Sequence, residues 1–192
     1  MKKLLLLFLL CLLVTVQTTA QKKLNAEEII TALLKTTDGN IFRMYETRKY
    51  TASVFVFMLP DCPACENYSS TLNKLSDKYK SKGIQFYGVF PSFIEAHEID
   101  EFAKTYHIRF PMLMDYNKEL LNAFDAHVAP SAYVISETTL LLYRGRIDDW
   151  MYAVGKKRTV ITHHELEDAL DAIADHKPVK VDQTQPVGCL ID

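Results

Sequence analysis

The stretch Leu59-Pro60-Asp61-Cys62-Pro63-Ala64-Cys65-Glu66 decides the fold. It places two cysteines three positions apart, after the apolar run from Ser53 to Met58 and before a segment with helical periodicity. A Cys-x-x-Cys at a strand-to-helix junction is typical of a redox dithiol. The spacing lets the two sulfurs close a small ring, and the helix N-terminus favours the thiolate that attacks a disulfide. The stretch therefore predicts Cys62 and Cys65 as a catalytic pair.

The segments around the dithiol predict a parallel strand-helix-strand unit. Ala52 to Leu59 is almost continuously apolar, as expected for a central strand covered on both faces. Apolar residues then recur at helical spacing as far as Gly83, and Ile84 to Phe90 is a second buried strand. Two such strands joined by a crossover helix form a parallel βαβ unit.

The rest of the chain completes a recognisable order of elements. Further helices are predicted over Glu95 to His107, Asn117 to Ala126 and His163 to Ala174. Ala132 to Ile135 and Leu140 to Arg144 are joined by so short a link that they must be antiparallel strands. The order predicts an α/β fold, a thioredoxin-like three-layer α/β/α arrangement with a mixed central sheet.

The termini lie outside this predicted domain, which we place at residues 40–177. Residues 21–39 are predicted to form a helix, capped by Asn25 and continuing to Leu34, and a turn. Residues 178–192 are predicted to be a poorly structured tail that carries Cys189.

The first twenty residues have the pattern of a secretory signal peptide. Lys2 and Lys3 precede an apolar run from Leu4 to Val16, which is too short to span a bilayer comfortably. The signal peptide would direct export and be cleaved after about Ala20, and the periplasm is the expected compartment. An uncleaved anchor is the alternative interpretation. Without the two lysines, 20 basic and 24 acidic residues remain, and no nucleic-acid partner is expected.

Export would also remove Cys11 and leave three cysteines, namely Cys62, Cys65 and Cys189. This number is too small for a disulfide scaffold, and it is odd. The cysteine count therefore favours catalytic over structural sulfur.

Three further motifs carry a resemblance to a known family. They are Val128-Ala129-Pro130-Ser131 before the hairpin, Tyr143-Arg-Gly-Arg-Ile-Asp-Asp149 after it, and Gly188-Cys189-Leu190-Ile191 at the end. Together with the Cys-Pro-Ala-Cys loop, they resemble the redoxin (AhpC/TSA-type) branch of the thioredoxin superfamily, over roughly residues 40 to 192. The resemblance implies Cys62 as the exposed attacking thiol and Cys65 as the resolving thiol. It implies no cofactor beyond a redox-active Cys62–Cys65 disulfide. The residues themselves argue against zinc, since the CxxC supplies half of a site but no second CxxC or suitably spaced histidine pair is present.

The same resemblance implies a substrate-binding region. Pro130 would be a cis-proline facing the dithiol, and Ala129 would offer backbone groups to an extended substrate segment. Pro63, between the cysteines, is expected to belong to this region.

The chain departs from the family pattern beside the dithiol. Asp61 stands where many relatives have tryptophan, and its charge should disfavour the neighbouring thiolate. Val56 stands where thioredoxins bury an acid used in proton transfer. Glu66 is a candidate substitute, or an exposed residue of the first helical turn. Cys189 is either a tail cysteine without a role or a shuttle or regulatory partner for Cys62.

These observations favour an exported thiol–disulfide oxidoreductase that exchanges electrons with protein cysteines and is served by a membrane-bound donor. A peroxiredoxin-like thiol peroxidase using Cys62, with Cys189 as a distant resolving thiol, is one alternative. A peroxidase loop needs a proline and a hydroxyl residue before its cysteine. This chain has Phe55 and Leu59 at those positions, which argues against the peroxidase. A copper-handling redoxin-fold chaperone is another alternative, although the CxxC spacing argues against it.

Overall fold

The computed structural model describes residues 26–191. The predicted signal peptide and the predicted cap at Asn25 lie outside this range. Within the described residues, no helix is long and apolar enough to cross a membrane.

The chain alternates strands and helices in the predicted order. The helices are α1 (Ala26–Thr31), α2 (Pro63–Lys80), α3 (Ala96–Thr105), α4 (Glu119–Phe124) and α5 (Glu165–Ala174), with a 3-10 helix at Met44–Lys49. The strands are β1 (Leu33–Thr36), β2 (Ile41–Arg43), β3 (Ala52–Phe57), β4 (Ile84–Pro91), β5 (Met112–Asp115), β6 (Val128–Ala129), β7 (Ser131–Ser136), β8 (Leu141–Gly145), β9 (Met151–Ala153), β10 (Lys156–Lys157) and β11 (Cys189–Leu190).

Seven strands form the central sheet in the order β2-β1-β5-β4-β3-β7-β8. Strand β4 is parallel to both β3 and β5, whereas β7 is antiparallel to β3 and to β8. All six residues of β3 are buried, because this strand has neighbours on both sides and helices over both faces. The mixed sheet, the parallel βαβ unit and the antiparallel hairpin confirm the predicted fold.

The helices lie in two layers, one on each side of the sheet. Helix α2 packs with α5, where the Tyr79 hydroxyl donates to the carbonyl of Glu167 at 3.2 Å. It also contacts the end of α3, where the Asn73 amide donates to the His107 carbonyl at 3.1 Å. Helices α1 and α4 contact each other. The dithiol lies at the N-terminus of α2, directly after the central strand.

The N-terminal helix is shorter than predicted. Helix α1 ends at Thr31, and Leu33 and Leu34 belong to β1, which pairs with β2 and β5. In β1, Leu34 is buried and Leu33 is exposed, the alternation of a strand. The prediction of a helix through Leu34 was wrong. Two adjacent leucines fit the periodicity of a helix as well as that of a strand, and pairing with β2 and β5 places them in a strand. The sheet therefore begins before the predicted domain boundary at residue 40.

The C-terminal segment is ordered against the domain, which corrects the prediction of a poorly structured tail. Residues 182–184 run beside β8, where the Arg144 N–H donates to the Asp182 carbonyl at 2.9 Å. The Thr184 N–H donates in turn to the Arg144 carbonyl at 3.0 Å. Further on, β11 pairs antiparallel with β6. The segment stays in place because its backbone groups find partners in the domain instead of water.

Candidate active site

Helix α2 holds both cysteines of the dithiol in fixed positions. Cys62 is the N-cap residue with extended backbone, Pro63 opens the helix, and Cys65 lies in the first turn. Proline suits this position, since its fixed φ matches the helix and its missing N–H would have had no helical partner. The loop before the helix is tied to the sheet, because the Met58 N–H donates to the Val89 carbonyl at 2.9 Å.

Cys62 is bonded to Cys189, with an S–S distance of 2.06 Å and a Cα–Cα distance of 6.0 Å. Cys65 is a free thiol. The sequence led us to expect a Cys62–Cys65 disulfide and an exposed Cys62. In this structure Cys62 is only 1% exposed, because the C-terminal segment covers it. Of the two interpretations of Cys189, the structure agrees with a partner for Cys62.

The cis-proline region lies beside this disulfide. The Ala129–Pro130 peptide bond is cis, as the resemblance implied. The sulfur of Cys62 lies 3.4 Å from the carbonyl oxygen of Ala129. A disulfide-bonded sulfur carries no hydrogen, so this is a contact; a reduced Cys62 thiol could donate a hydrogen bond there.

The C-terminal segment occupies the backbone edge that was predicted to receive a substrate. In the antiparallel pair of β11 and β6, Cys189 lies opposite Ala129 and Leu190 lies opposite Val128. The Ile191 N–H extends the pairing by donating to the carbonyl of His127 at 2.9 Å. An extended strand that begins at Cys189 therefore lies on the edge of β6 and is bonded to Cys62.

Cys65 is fully buried beneath the helix start. Burial raises the pKa of its thiol to about 12, and the charge of Glu66 acts in the same direction. The Leu59 N–H, 3.4 Å from the sulfur, opposes this shift by stabilising the thiolate. Cys65 is therefore a protonated thiol at neutral pH, and its attack on a disulfide requires loss of a proton.

The residues next to the dithiol lie where the sequence placed them. Val56 is buried in β3, so no carboxylate occupies its position, while Asp61 is exposed. Glu66 is half-buried and interacts with Tyr106, whose pKa is raised by burial and by the hydrogen bond and charge of Glu66. The role of Glu66 in proton transfer stays a prediction.

The motif after the hairpin forms a buried polar network that the sequence reasoning did not assign. Tyr68, one turn after Cys65, donates its hydroxyl to the carboxylate of Asp148 at 2.6 Å. The Trp150 N–H donates to the same oxygen at 2.9 Å. Asp148 is buried, so its carboxylate depends on these donors. The sequence did contain a signal for such a network: Asp148 and Asp149 directly follow the apolar Ile147 where a strand passes into a loop.

Asp149 anchors the loop that leads to α5. It accepts hydrogen bonds from the Thr162 hydroxyl at 2.6 Å and from the N–H groups of Thr162 and His163 at 2.8 and 3.1 Å. The Thr162 hydroxyl, these N–H groups and the charge of Arg158 hold the pKa of Asp149 well below its usual range. This aspartate is a structural anchor for the segment between the hairpin and the last helix.

Thr184 was also missed, because an isolated threonine in a polar tail gives no sequence signal. Its hydroxyl lies 2.9 Å from the hydroxyl of Tyr143 and accepts a hydrogen bond from the Arg146 N–H at 3.0 Å. A Cβ on Gly145 would lie 2.1 Å from the same hydroxyl oxygen, so only glycine allows this approach. These contacts of Thr184 with Tyr143, Gly145 and Arg146, here called the Thr184 clamp, hold the tail five residues before Cys189.

No group of three or more histidine, cysteine or acidic side chains is placed to hold a metal ion anywhere in residues 26–191.

The parallel βαβ unit, the Cys-x-x-Cys at the helix N-terminus and the neighbouring cis-proline define a thioredoxin-like fold. The family comparison is more specific: the model of the AhpC/TSA family matches residues 26–144, and the chain belongs to that family.

Similar proteins agree with this assignment. The chain is 28% identical over 80 residues to the thiol-disulfide oxidoreductase ResA of Bacillus thuringiensis subsp. konkukian, a match covering 40% of this chain and 43% of the relative. The matched part is thus less than half of that relative's length.

Solved structures resemble a larger part of the chain. An uncharacterized conserved protein from Geobacillus kaustophilus is 25% identical, with a TM-score of 0.73, over 84% of this chain and 87% of its own. The hypothetical protein SMc02350 from Sinorhizobium meliloti 1021 is 24% identical, also with a TM-score of 0.73, over 83% and 88%. A secreted Mycobacterium tuberculosis disulfide oxidoreductase homologous to E. coli DsbE is 16% identical, with a TM-score of 0.58, over 76% and 98%. Likenesses at this level establish the fold.

Proposed function

We propose that the protein is a thiol–disulfide oxidoreductase that exchanges electrons with protein cysteines through Cys62 and Cys65. The observation that carries the proposal is the bond from Cys62 to a cysteine in an extended strand on Ala129. This is the arrangement of a mixed disulfide with a substrate. The name of the curated relatives, thiol-disulfide oxidoreductase, supports the same activity.

In the proposed reaction, the Cys62 thiolate attacks one sulfur of a substrate disulfide. A mixed disulfide forms, and the other substrate sulfur leaves as a thiolate and is protonated. Cys65 then loses its proton and attacks the sulfur of Cys62, which closes the Cys62–Cys65 disulfide and releases the second substrate thiolate. Two electrons pass from the dithiol to the substrate. The high pKa of Cys65 calls for a proton acceptor at the second step, and Glu66 remains the candidate.

The proposal includes export to the periplasm and re-reduction by a membrane-bound donor. The basic and apolar pattern of residues 1–20 supports export. Fractionation of cells that produce the full chain tests this part. Recovery of a shortened chain in the periplasmic fraction is expected, and an uncleaved chain in the cytosol would contradict it.

Reduction of insulin in the presence of dithiothreitol tests the activity. The wild-type chain should accelerate insulin precipitation, and Cys62→Ser should abolish the acceleration because no other thiol starts the exchange. Cys65→Ser combined with Cys189→Ser should accumulate mixed disulfides with insulin chains, because neither thiol that can reach the Cys62 sulfur is left to release them. Cys189→Ser is the matched control, which removes a cysteine but keeps the dithiol and should remain active. Failure of the wild-type chain to exceed dithiothreitol alone would refute the proposal.

The Cys62–Cys189 disulfide also favours a second candidate, a thiol peroxidase. The Cys62 thiolate would take one oxygen of hydrogen peroxide to become a sulfenic acid, and the other oxygen would leave as hydroxide and take up a proton to form water. The Cys189 thiol would then condense with it to form the disulfide and release a second water. Rapid peroxide consumption that requires both Cys62 and Cys189, but not Cys65, would identify this activity. Copper handling stays a hypothesis from the sequence.

A further inference from the structure

We propose that residues 187–191 are a tethered mimic of the substrate. The strand lies on the backbone edge of β6 beside Ala129, here called the groove, and indicates what that groove selects: glycine directly before the cysteine and an apolar residue two positions after it. This inference rests on the proposed function, since it names the substrate segment for the same site.

The backbone of the tail pairs with the edge beside the cis-proline. Cys189 and Leu190 pair antiparallel with Ala129 and Val128, and the Ile191 N–H donates to the carbonyl of His127. A strand that adds to a free edge gains affinity from its backbone, and its alternate side chains supply specificity. One edge pairs with only one strand at a time, so the tail and a substrate strand compete for it.

The position before the cysteine admits only glycine in this register. A Cβ on Gly188 would lie 2.0 Å from the carbonyl oxygen of Ala129 and 3.1 Å from the nitrogen of Pro130. Both atoms belong to the backbone beside the cis peptide bond, so neither moves aside as a flexible side chain would. A substrate strand that follows the path of the tail meets the same obstacle.

The two positions after the cysteine face opposite environments. Leu190 is 72% exposed, whereas Ile191 is 7% exposed and joins the main hydrophobic core. A polar residue in place of Ile191 would lose this apolar burial, but one in place of Leu190 would stay in water. The groove should therefore be selective at the second position after the cysteine and tolerant at the first.

The tail leaves the groove by a disulfide exchange that needs no external oxidant. The Cys65 thiolate attacks the sulfur of Cys62, the Cys62–Cys65 bond forms, and the Cys62–Cys189 bond breaks. Cys189 departs as a thiolate and takes up the proton that Cys65 gave to solvent, so one disulfide is present throughout. The Thr184 clamp then still holds the tail near the groove.

Peptides test the selectivity directly. We would use a full chain with Cys11→Ser, Cys65→Ser, Cys189→Ser and Gly188→Ala, in which Cys62 is the only thiol and the tail no longer fits the edge that the probes must bind. The probes are peptides with the sequence of residues 186–191, whose cysteine is joined to 5-thio-2-nitrobenzoate. Attack by Cys62 on the peptide sulfur forms the mixed disulfide and releases the coloured thiolate, which reports the rate.

The proposal predicts a pattern among four peptides. Gly188→Ala and Ile191→Asp should each lower the second-order rate constant about tenfold, which corresponds to about 1.4 kcal/mol. Leu190→Asp, the matched control, should react within about twofold of the unmodified peptide, since an exposed surface position contributes little. Equal rates for all four peptides would overturn the proposal while leaving the oxidoreductase activity intact. If Cys62 also fails to react with free 5,5′-dithiobis(2-nitrobenzoate), the proposed function itself fails.

The full chain offers a second measurement that does not depend on added peptides. With all other cysteines present, Gly188→Ala should lower the ratio of the Cys62–Cys189 to the Cys62–Cys65 disulfide about tenfold and leave more Cys189 open to alkylation. Leu190→Asp should keep the ratio. An unchanged ratio in Gly188→Ala would contradict the close approach on which the proposal depends.

Discussion

Cys189 lies directly opposite Ala129 in an antiparallel pair, and its sulfur is bonded to Cys62 at the start of α2. The residue before the cis-proline and the first cysteine of the dithiol thus contact the same short strand. The C-terminal segment is therefore part of the candidate active site. It also separates the two thiols of the motif, because Cys62 is engaged and Cys65 stays free.

The Thr184 clamp should govern how readily Cys189 reaches Cys62. Thr184→Val keeps the shape of the side chain but removes the hydrogen bonds with Tyr143 and Arg146. In a Cys65→Ser chain equilibrated with glutathione, we expect the equilibrium constant for the Cys62–Cys189 disulfide to fall about tenfold, since a lost hydrogen bond of this kind costs about 1 kcal/mol or more. Alkylation and mass spectrometry at a series of glutathione ratios measure it. Gln185→Ala, at an exposed neighbouring position, is the control and should leave the constant unchanged.

The Tyr68–Asp148 hydrogen bond should stabilise the fold near the dithiol. Tyr68→Phe leaves the buried carboxylate of Asp148 with the Trp150 N–H but without the hydroxyl. The free energy of unfolding should fall by about 1–3 kcal/mol, the cost of an unsatisfied buried polar group. Urea denaturation checks this value, with Tyr152→Phe at an exposed position as the control. An unchanged midpoint in Tyr68→Phe would show that the pair carries no stability.

Burial of the Cys65 thiol should make stability depend on alkaline pH. The pKa is about 12 in the folded protein against 9.0 for an ordinary thiol. Between these values the unfolded chain loses the proton and the folded chain keeps it. The stabilisation is therefore complete below pH 9 and declines as pH rises toward 12, by up to about 1.4 kcal/mol per pH unit.

This dependence is best measured in a chain whose other three cysteines are serine, so that no disulfide exchanges at high pH. The free energy of unfolding should fall more steeply between pH 9 and 11 with Cys65 than with Cys65→Ala. Parallel pH profiles for the two chains would show that Cys65 ionises normally in the fold.

The central part of the fold was predictable because its signals are local and redundant. The apolar strand before Cys62, the helix after it and the second strand to Phe90 agree in periodicity and length, and all are present. Leu33 and Leu34 were assigned to the wrong element. They pair with β2, and the same strand pairs through Lys35 and Thr36 with β5, almost eighty residues away along the chain. Local periodicity carries no information about such a partner.

The pairing of Cys62 with Cys189 was likewise not predictable from local sequence patterns. The spacing of Cys62 and Cys65 makes their disulfide the natural expectation, whereas Cys189 is separated from Cys62 by 127 positions. Only the path of the tail over β8 and β6 brings it close, through Thr184 and the backbone of Ile191. These contacts depend on tertiary structure, and a tail rich in proline and polar residues gives no sign of them.

Disulfide mapping of the protein oxidised in air tests the account most directly. The chain would be blocked with N-ethylmaleimide during unfolding and digested with trypsin, which should release residues 50–74, with both cysteines of the motif, and residues 181–192, with Cys189. The structure predicts that these two peptides are joined by a disulfide and that N-ethylmaleimide is on Cys65. Peptide 50–74 with an internal disulfide, together with N-ethylmaleimide on Cys189, is the product of the exchange that displaces the tail. Recovery of this form alone, with no joined peptides, would contradict the Cys62–Cys189 bond.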